Sequence, residues 1–297
     1  MKNGVIGPVD MSIFLVQILT GLAYGMLLFM IAAGLSIIFG LLNVINLAHG
    51  ALFLIGGYVT LSLVNNYLNF WLSLLVAIVV MALLSVIIER FLLDKMYGQE
   101  FEQVLLTFGL MFFLADVAKW IWGTSPQSIP VPDYLASSFS VGVVSFPVYR
   151  VFVVLVGCLV AVVMWYLETK TRIGAVIRAG VDDREMLGAL GINFKVAFTG
   201  VFAFGAALAG LAGGLGGPIL GLYTGMEGDI LILSLVVVVI GGLGTWKGSF
   251  VGAILVGMAD TFGQMWFPSF SMAIIFIIMG LVLLIKPSGL FGKGVGA

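Results

Sequence analysis

The sequence predicts an all-α, polytopic transmembrane helical bundle, and three observations carry that prediction. Of the 297 residues, 62% are hydrophobic and only 9% are charged, whereas soluble domains carry about 25% charged residues. No aspartate, glutamate, lysine or arginine occurs between Asp10 and Glu89, a stretch long enough for about three crossings at roughly 20 residues each. Because lipid offers the backbone no hydrogen-bond partners, the crossing segments must be helices.

Hydrophobic segments recur along the whole chain. The apolar stretch 34–46 between the first two is too short to cross and ends in polar residues, which predicts half of a broken or re-entrant helix near residues 34–50. The number of crossings is eight or nine, depending on how that stretch is counted. We expect residues 1–297 to form a single transmembrane domain. The predicted spans are 12–33, 47–64, 70–89, 104–122, 151–167, 198–215, 230–243, 250–263 and 272–285.

The positive charges predict the orientation. Lysine and arginine concentrate in the loop after Glu89, in the loop 168–197 and in the C-terminal tail. Short loops rich in these residues are typically cytoplasmic. Nine crossings therefore place the N-terminus outside, and the proline-rich loop 123–150 becomes extracytoplasmic.

Composition and missing motifs exclude several classes of function. So few charges cannot build a water-soluble enzyme surface, and a net charge of −1 leaves no basic excess for binding nucleic acid. With only one cysteine and one histidine, the sequence predicts neither a disulfide within the chain nor a metal site. No G-x-x-x-x-G-K-[ST] loop occurs, so the chain is not expected to bind ATP itself. We expect no cofactor and no catalytic residue.

Glycines four residues apart are frequent, above all in the C-terminal half. Small residues at this spacing let helix backbones approach closely within a membrane. The pattern predicts tight packing within one bundle, and it is also compatible with helices that slide or unwind around a path. The pairs are Gly21/Gly25, Gly210/Gly214, Gly213/Gly217, Gly217/Gly221, Gly221/Gly225, Gly244/Gly248 and Gly248/Gly252.

A polar break separates two apolar segments at Asn43, Asn46, His49 and Gly50. Unwound backbone at membrane depth is tolerated where it is buried in protein or lines a cavity, and transporters use such breaks to bind their substrates. One interpretation is therefore a polar hinge beside a substrate path. The alternative is an interhelical hydrogen-bond cluster that fixes the bundle, and the sequence leaves both open.

Three other ionisable residues fall within or near predicted spans. Asp116 and Lys119 are three positions apart, so they are predicted to pair near a helix end where Trp120 and Trp122 form an interfacial belt. Asp260 has Gln264 one turn later. A proton relay through Asp260 is the less favoured interpretation of that residue.

The loop 168–197 contains a predicted short helix outside the membrane. Asp182 followed by Glu185 has the form of a capping box, and Gly191 supplies a left-handed C-terminal stop. One face of this helix is apolar, and charged residues line its start. Such a helix on the cytoplasmic side is a surface that a soluble partner can bind. Its residues include Asp182, Asp183, Arg184, Glu185, Leu187, Leu190 and Gly191.

Taken together, these motifs resemble the permease subunits of bacterial branched-chain amino acid ABC transporters, specifically the H-type subunit. The blocks that carry the resemblance are spread over almost the whole chain. They are GLAYG at 21–25, AGLSIIFG at 33–40, NLAHG at 46–50, GGY at 56–58, RAG at 178–180 through GIN at 191–193, FGAALAGLAG at 204–213, VIGGLG at 239–244 and KPSGLFG at 286–292.

The resemblance implies an importer subunit in the bacterial inner (plasma) membrane. Such a permease pairs with a second homologous permease chain, two cytoplasmic ATP-binding subunits power the pair, and a periplasmic binding protein delivers the substrate. The family's ATPase-contact segment corresponds to residues 182–193 here. A rival hypothesis is an autonomous channel or secondary transporter for a small neutral solute such as an amide or urea.

Overall fold

The computed structural model describes residues 8–42, 46–96, 98–142, 144–171, 174–175 and 194–292. Within these ranges the chain forms ten α-helices and one two-stranded sheet. The helices are α1 (Pro8–Leu42), α2 (His49–Asn66), α3 (Phe70–Ile88), α4 (Glu100–Trp122), α5 (Asp133–Ala136), α6 (Val148–Lys170), α7 (Phe194–Leu220), α8 (Met226–Gly241), α9 (Trp246–Trp266) and α10 (Ser271–Ile285). Strands β1 (Ser138–Val141) and β2 (Val144–Pro147) pair antiparallel, with Ser138 opposite Pro147.

Helix α1 is the centre of the bundle. Its residues 26–33 are at most 2% exposed, and they are apolar on every side of the helix. A helix that is hydrophobic all round is stable only when other elements surround it. Helices α6, α7, α8 and α9 pack against α1 and supply that surrounding layer, while α2 packs against α3, α4, α7 and α8.

The outer faces of the peripheral helices are apolar rather than polar. Large exposed hydrophobic side chains stand on α3, α4, α6 and α10, and in water such a continuous apolar surface would drive aggregation. The surface is therefore suited to lipid, as the composition predicts. Examples are Leu75, Leu83, Phe112, Phe113, Leu155, Leu159, Ile277 and Leu284.

The helical bundle is confirmed, but the predicted count of eight or nine crossings is not. Six helical segments are long and apolar enough to cross a membrane, and the count rises to seven if α8 and α9, which meet at 119°, form one bent span. Helix α2 has polar residues at both ends, and α8 has only 16 residues. A helix of that length is about 24 Å long, which is shorter than the hydrocarbon core.

The structure corrects one part of the predicted interruption near residues 34–50: α1 ends at Leu42 and α2 begins at His49. The apolar stretch that begins at Gly34 is not a separate half-helix, because residues 34–42 continue α1 without a break. Neither proline nor charge interrupts the sequence there, so nothing stops the helix until the polar residues after Leu42. The described bent pair is instead α8 and α9, where glycines at 241, 242 and 244 end one helix before the next begins.

The charged loops define one end of the bundle, here called the basic end. Lys195 Nζ lies 2.8 Å from Asp94 Oδ1, which joins the start of α7 to the segment after α3. Lys247 Nζ lies 3.8 Å from Glu168 Oε2, which joins the start of α9 to the end of α6. The described parts of the predicted cytoplasmic loops thus meet on one side of the bundle.

The opposite end, here called the hairpin end, is closed by the segment 123–147. Strands β1 and β2 form a hairpin, which the sequence analysis did not predict. Gln127 and Leu222 exchange two backbone hydrogen bonds of 2.9 and 2.7 Å, so this segment is tied to the end of α7. Trp71 Nε1 also donates to the Tyr134 hydroxyl at 2.5 Å, which ties the same segment to the start of α3.

Glycines form the closest helix contacts, as their spacing predicts. A Cβ built on Gly56 would lie 2.5 Å from the Cα of Gly210, so α2 and α7 touch backbone to backbone. Similarly, a Cβ on Gly25 would lie 2.8 Å from the Ala253 carbonyl oxygen, where α1 crosses α9. These contacts leave no room for a side chain, which supports the tight-packing interpretation of the glycine pattern.

Candidate substrate path at the start of helix α2

Three of the four predicted path residues lie together where α2 begins. Asn46 is 3% exposed, His49 is fully buried, and Gly50 is buried beside it. Asn43 falls outside the described residues. The sequence prediction therefore coincides with the buried start of a helix.

His49 joins α2 to α1. Its Nε2 lies 3.2 Å from the carbonyl oxygen of Ile31. Because a carbonyl oxygen only accepts, Nε2 carries the ring proton, and Nδ1 is left as a bare acceptor. Nδ1 has no hydrogen-bond partner within the described ranges, although the ring is fully buried. One side of the imidazole is therefore anchored and the other retains unused hydrogen-bonding capacity.

Glycines make the approach to His49 possible. A Cβ on Gly34 would lie 2.8 Å from the Gly205 carbonyl oxygen of α7 and 3.1 Å from His49 Nε2. A Cβ on Gly50 would overlap the carbonyl oxygen of Glu227. Thus the start of α2 rests directly on the backbone of α8, while α1 and α7 meet beside the imidazole.

Asn46 shapes the turn that leads into α2. Its side-chain Oδ1 accepts from the backbone N–H of Ala48 at 3.1 Å, and its carbonyl oxygen accepts from the N–H of His49 at 3.2 Å. The next backbone N–H, that of Leu47, donates to Thr107 Oγ1 of α4 at 3.3 Å. The amide of Asn46 therefore replaces water as the partner of a buried backbone group, as helix starts require.

The junction brings together α1, α2, α4, α7 and α8. Each contact is either a glycine contact, in which two backbones touch directly, or a single hydrogen bond. Because these contacts are so close, a shift of α2 must be accompanied by movement of the neighbouring helices.

The other predicted charges bond to neighbours on their own helices. Lys119 Nζ lies 2.9 Å from Asp116 Oδ1, so the predicted pairing is confirmed. Both side chains are largely exposed, and Trp120 beside them is 87% exposed. Gln264 Nε2 donates to Asp260 Oδ2 at 2.8 Å, which accounts for the amide one turn after that aspartate.

The predicted partner-binding helix at 182–193 lies outside the described residues. The end of α6 and the start of α7 are described, and both lie at the basic end. On one side Glu168 of α6 accepts a hydrogen bond of 2.5 Å from Trp246 Nε1. On the other side Lys195 of α7 pairs with Asp94. Helices α6 and α7, which precede and follow the segment in the chain, are therefore each bonded to another part of the bundle at the basic end.

Two buried carboxylates were missed by the sequence analysis. Glu89 is 1% exposed and accepts from Thr199 Oγ1 at 2.7 Å, near the basic end. Glu227 is 7% exposed in the first turn of α8. One predicted span ends at residue 89 and another begins at residue 230. The prediction therefore put Glu89 at a span boundary and Glu227 in a loop. An acidic residue this close to a span is the signal that could have identified them.

Comparison with known proteins decides the family. Residues 17–283 match the family described as "Branched-chain amino acid transport system / permease component". The chain belongs to this permease family. It is a multi-pass protein of the bacterial inner membrane, and its relatives are transport permeases rather than enzymes.

The similarity to curated relatives extends over nearly the full length of both chains. The permease protein BraD of the high-affinity branched-chain amino acid transport system of Pseudomonas aeruginosa is 27% identical over 94% of this chain and 96% of its own. The corresponding Escherichia coli protein, LivH, is 25% identical with the same coverage. A probable branched-chain amino acid transport permease of Methanocaldococcus jannaschii is 26% identical over 91% of this chain and 90% of its own.

Proposed function

We propose that this permease is the membrane-spanning subunit of an ABC importer that moves branched-chain, hydrophobic amino acids into the cell. The observation that carries the proposal is the family match over residues 17–283, together with relatives named for branched-chain amino acid transport over almost their whole length. The chemistry of the bundle agrees with such a cargo. Within the described ranges, the buried side chains around α1 and α2 are overwhelmingly apolar, which suits an aliphatic side chain better than a charged solute.

The start of α2 is the proposed hinge beside the path. Asn43, Asn46, His49 and Gly50 are its residues, and the contacts of the last three support the role. The unused Nδ1 of His49 and the amide of Asn46 are hydrogen-bonding groups that become accessible when α2 moves away from α1. The contact between Gly50 and the backbone of α8 passes that movement to a second helix.

Energy coupling is proposed to come from partners. The sequence has no phosphate-binding loop of its own, so two cytoplasmic ATP-binding subunits would supply the work. A second homologous permease chain and a periplasmic binding protein complete the proposed assembly. The segment 182–193 is the proposed ATPase-docking site, because its sequence has a capped, amphipathic pattern and it lies between α6 and α7, whose adjoining ends are at the basic end.

Reconstitution tests the overall proposal. The full assembly in proteoliposomes is expected to accumulate leucine only with ATP inside the compartment that holds the ATPases and loaded binding protein outside. The isolated chain is expected to give no uptake. Leucine or urea flux through vesicles that contain only this chain would contradict the proposal and favour an autonomous channel.

Replacing Arg184 and Glu185 together by alanine is expected to weaken ATPase binding and to lower uptake by about tenfold, because charged groups at the start of a docking helix contribute about 1–3 kcal/mol when buried by a partner. The measurement is co-purification of the ATPases with the membrane chains. The matched control replaces Lys95 and Glu100, which are exposed at the same end. Unchanged co-purification of the ATPases with the Arg184/Glu185 variant would contradict the docking role.

A further inference from the structure

The first turn of α8 contains a buried carboxylate, Glu227, whose side chain the proposed hinge does not use. Within the described ranges, Glu227 and Glu89 are the only buried aspartate or glutamate side chains. Glu89 lies near the basic end, bonded to Thr199. Glu227 lies in the first turn of α8, where its backbone carbonyl oxygen touches Gly50 at the start of α2. A carboxylate buried in a membrane bundle is costly to retain, so its charge requires an explanation.

The local fold uses only part of what Glu227 offers. Its Oε2 accepts from the backbone N–H of Gly225 at 2.9 Å, and Gly225 has a left-handed φ of 101°. This bond caps the first turn of α8. A neutral glutamine could accept the same bond, since its amide oxygen occupies the position of Oε2. The cap therefore accounts for an oxygen atom at residue 227 but not for a negative charge.

Tyr58 of α2 supplies an independent observation at the same place. The residue is fully buried, and its hydroxyl has no hydrogen-bond partner in the described part of the chain. Its ring stacks on Trp122 with centroids 5.1 Å apart and planes 12° apart, which fixes the direction of the hydroxyl. Trp122 is itself held by a 2.5 Å bond from Nε1 to Ser62 Oγ. A rigidly held, buried hydroxyl without a partner indicates a missing ligand or water.

The two groups act on each other. Gly50 of α2 touches the carbonyl oxygen of Glu227, and Tyr58 lies about two turns farther along the same helix. The field of the Glu227 carboxylate reaches the Tyr58 hydroxyl and also Lys119 of α4. Lys119 is paired with the exposed Asp116, so its ammonium is held by another carboxylate. A carboxylate and a hydroxyl oxygen are both acceptors, and together they match a ligand group that carries several N–H donors and a positive charge.

We propose that Tyr58 and Glu227 bind the ammonium group of an amino acid as it enters the bundle from the hairpin end. This inference rests on the proposed function, because it requires a zwitterionic amino acid as cargo. The carboxylate neutralises the ammonium and shares two of its donors, while the hydroxyl accepts a third. The aliphatic side chain of the same ligand then meets the apolar surfaces of α2 and α7.

The test compares Glu227→Gln, Tyr58→Phe and Asp229→Asn in the complete transporter assembly in proteoliposomes. Leucine uptake and ATP hydrolysis are measured with saturating loaded binding protein. Asp229 is the matched control because it is exposed, lies in the same turn, and already accepts a 3.0 Å bond from the Tyr223 hydroxyl. Partial burial and that bond both raise the pKa of Tyr223, so its hydroxyl remains a donor at neutral pH.

We expect Glu227→Gln to lower leucine uptake per ATP by about tenfold or more, and Tyr58→Phe by about threefold to tenfold, as for the loss of charge-assisted and neutral hydrogen bonds respectively. Asp229→Asn is expected to stay within about twofold of the native chain. Tyr58→Phe removes one oxygen and no packing volume, so it remains informative if Glu227→Gln fails to fold.

The outcomes separate this inference from the proposed function. If Glu227→Gln and Tyr58→Phe both take up leucine as the native chain does, with unchanged uptake per ATP, the ammonium site is overturned. The importer proposal then still stands. An equal loss in Asp229→Asn also overturns it, because the effect would then follow surface charge. A native assembly that moves no leucine overturns both.

Discussion

Replacing Gly213 by alanine is expected to abolish leucine uptake and to destabilise the bundle by about 1–3 kcal/mol, the usual cost of forcing extra volume into a packed core. A Cβ at this position would overlap the carbonyl oxygen of Phe53 and would lie 2.8 Å from the backbone nitrogen of Gly57. Both obstacles are backbone atoms of α2, so neither can rotate away. The only relief is to separate α2 from α7, and this would also displace His49 and Gly50. The measurement is thermal unfolding of the purified chain together with uptake by the assembly.

The matched control is Gly109→Ala. Gly109 also lies inside a helix, α4, but a Cβ there meets nothing within 4 Å. Alanine favours helix by about 1 kcal/mol relative to glycine, so this variant should be as stable as the native chain or slightly more stable. If Gly213→Ala unfolds at the native temperature and retains uptake, the contact between α2 and α7 is looser than the structure shows.

Much of the fold follows from hydrophobicity alone. Each of the nine predicted hydrophobic segments overlaps one of the nine longest described helices, because burial in lipid or protein and backbone hydrogen bonding both favour helix wherever apolar residues run on. Glycine spacing also predicts the close contacts at Gly25 and Gly210. These signals are local in sequence, so they can be recognised without knowing the helix partners.

Other features depend on tertiary contacts that no local pattern specifies. The continuation of α1 through residues 34–42 depends on contacts of Gly34 with Gly205 of α7 and of Gly40 with Gly244 in the turn before α9, and an interpretation from span length alone assigned these residues to a separate half-helix. The β-hairpin after α5 forms beside the end of the bundle, with Gln127 already tied to Leu222. Tyr58 and Glu227 are far apart in sequence, so their proximity becomes visible only once α2 lies on α8. Asn46, His49 and Gly50 were predicted together because they are close in sequence.

The substitution His49→Leu is expected to lower uptake by about tenfold, equivalent to about 1.4 kcal/mol, while changing the free energy of unfolding by no more than about 1 kcal/mol. Leucine fills much of the ring's volume. It removes the bond to Ile31, worth about 0.5–1.5 kcal/mol, but it also removes the buried, unpartnered Nδ1, whose desolvation costs about 1–3 kcal/mol. The two effects offset each other, so stability alone gives little reason for an imidazole at this position.

The companion variant His49→Gln separates the two nitrogen atoms. Glutamine can donate to the Ile31 carbonyl as Nε2 does, but it places no acceptor where Nδ1 stands. If the hinge requires the acceptor as α2 moves, the glutamine variant loses uptake as the leucine variant does, although its bond to α1 is retained. If His49 only fixes α2 to α1, the glutamine variant transports normally, and the leucine variant shows a lower unfolding temperature with little change in uptake. The second pattern would assign His49 to the interhelical hydrogen-bond cluster and remove it from the path.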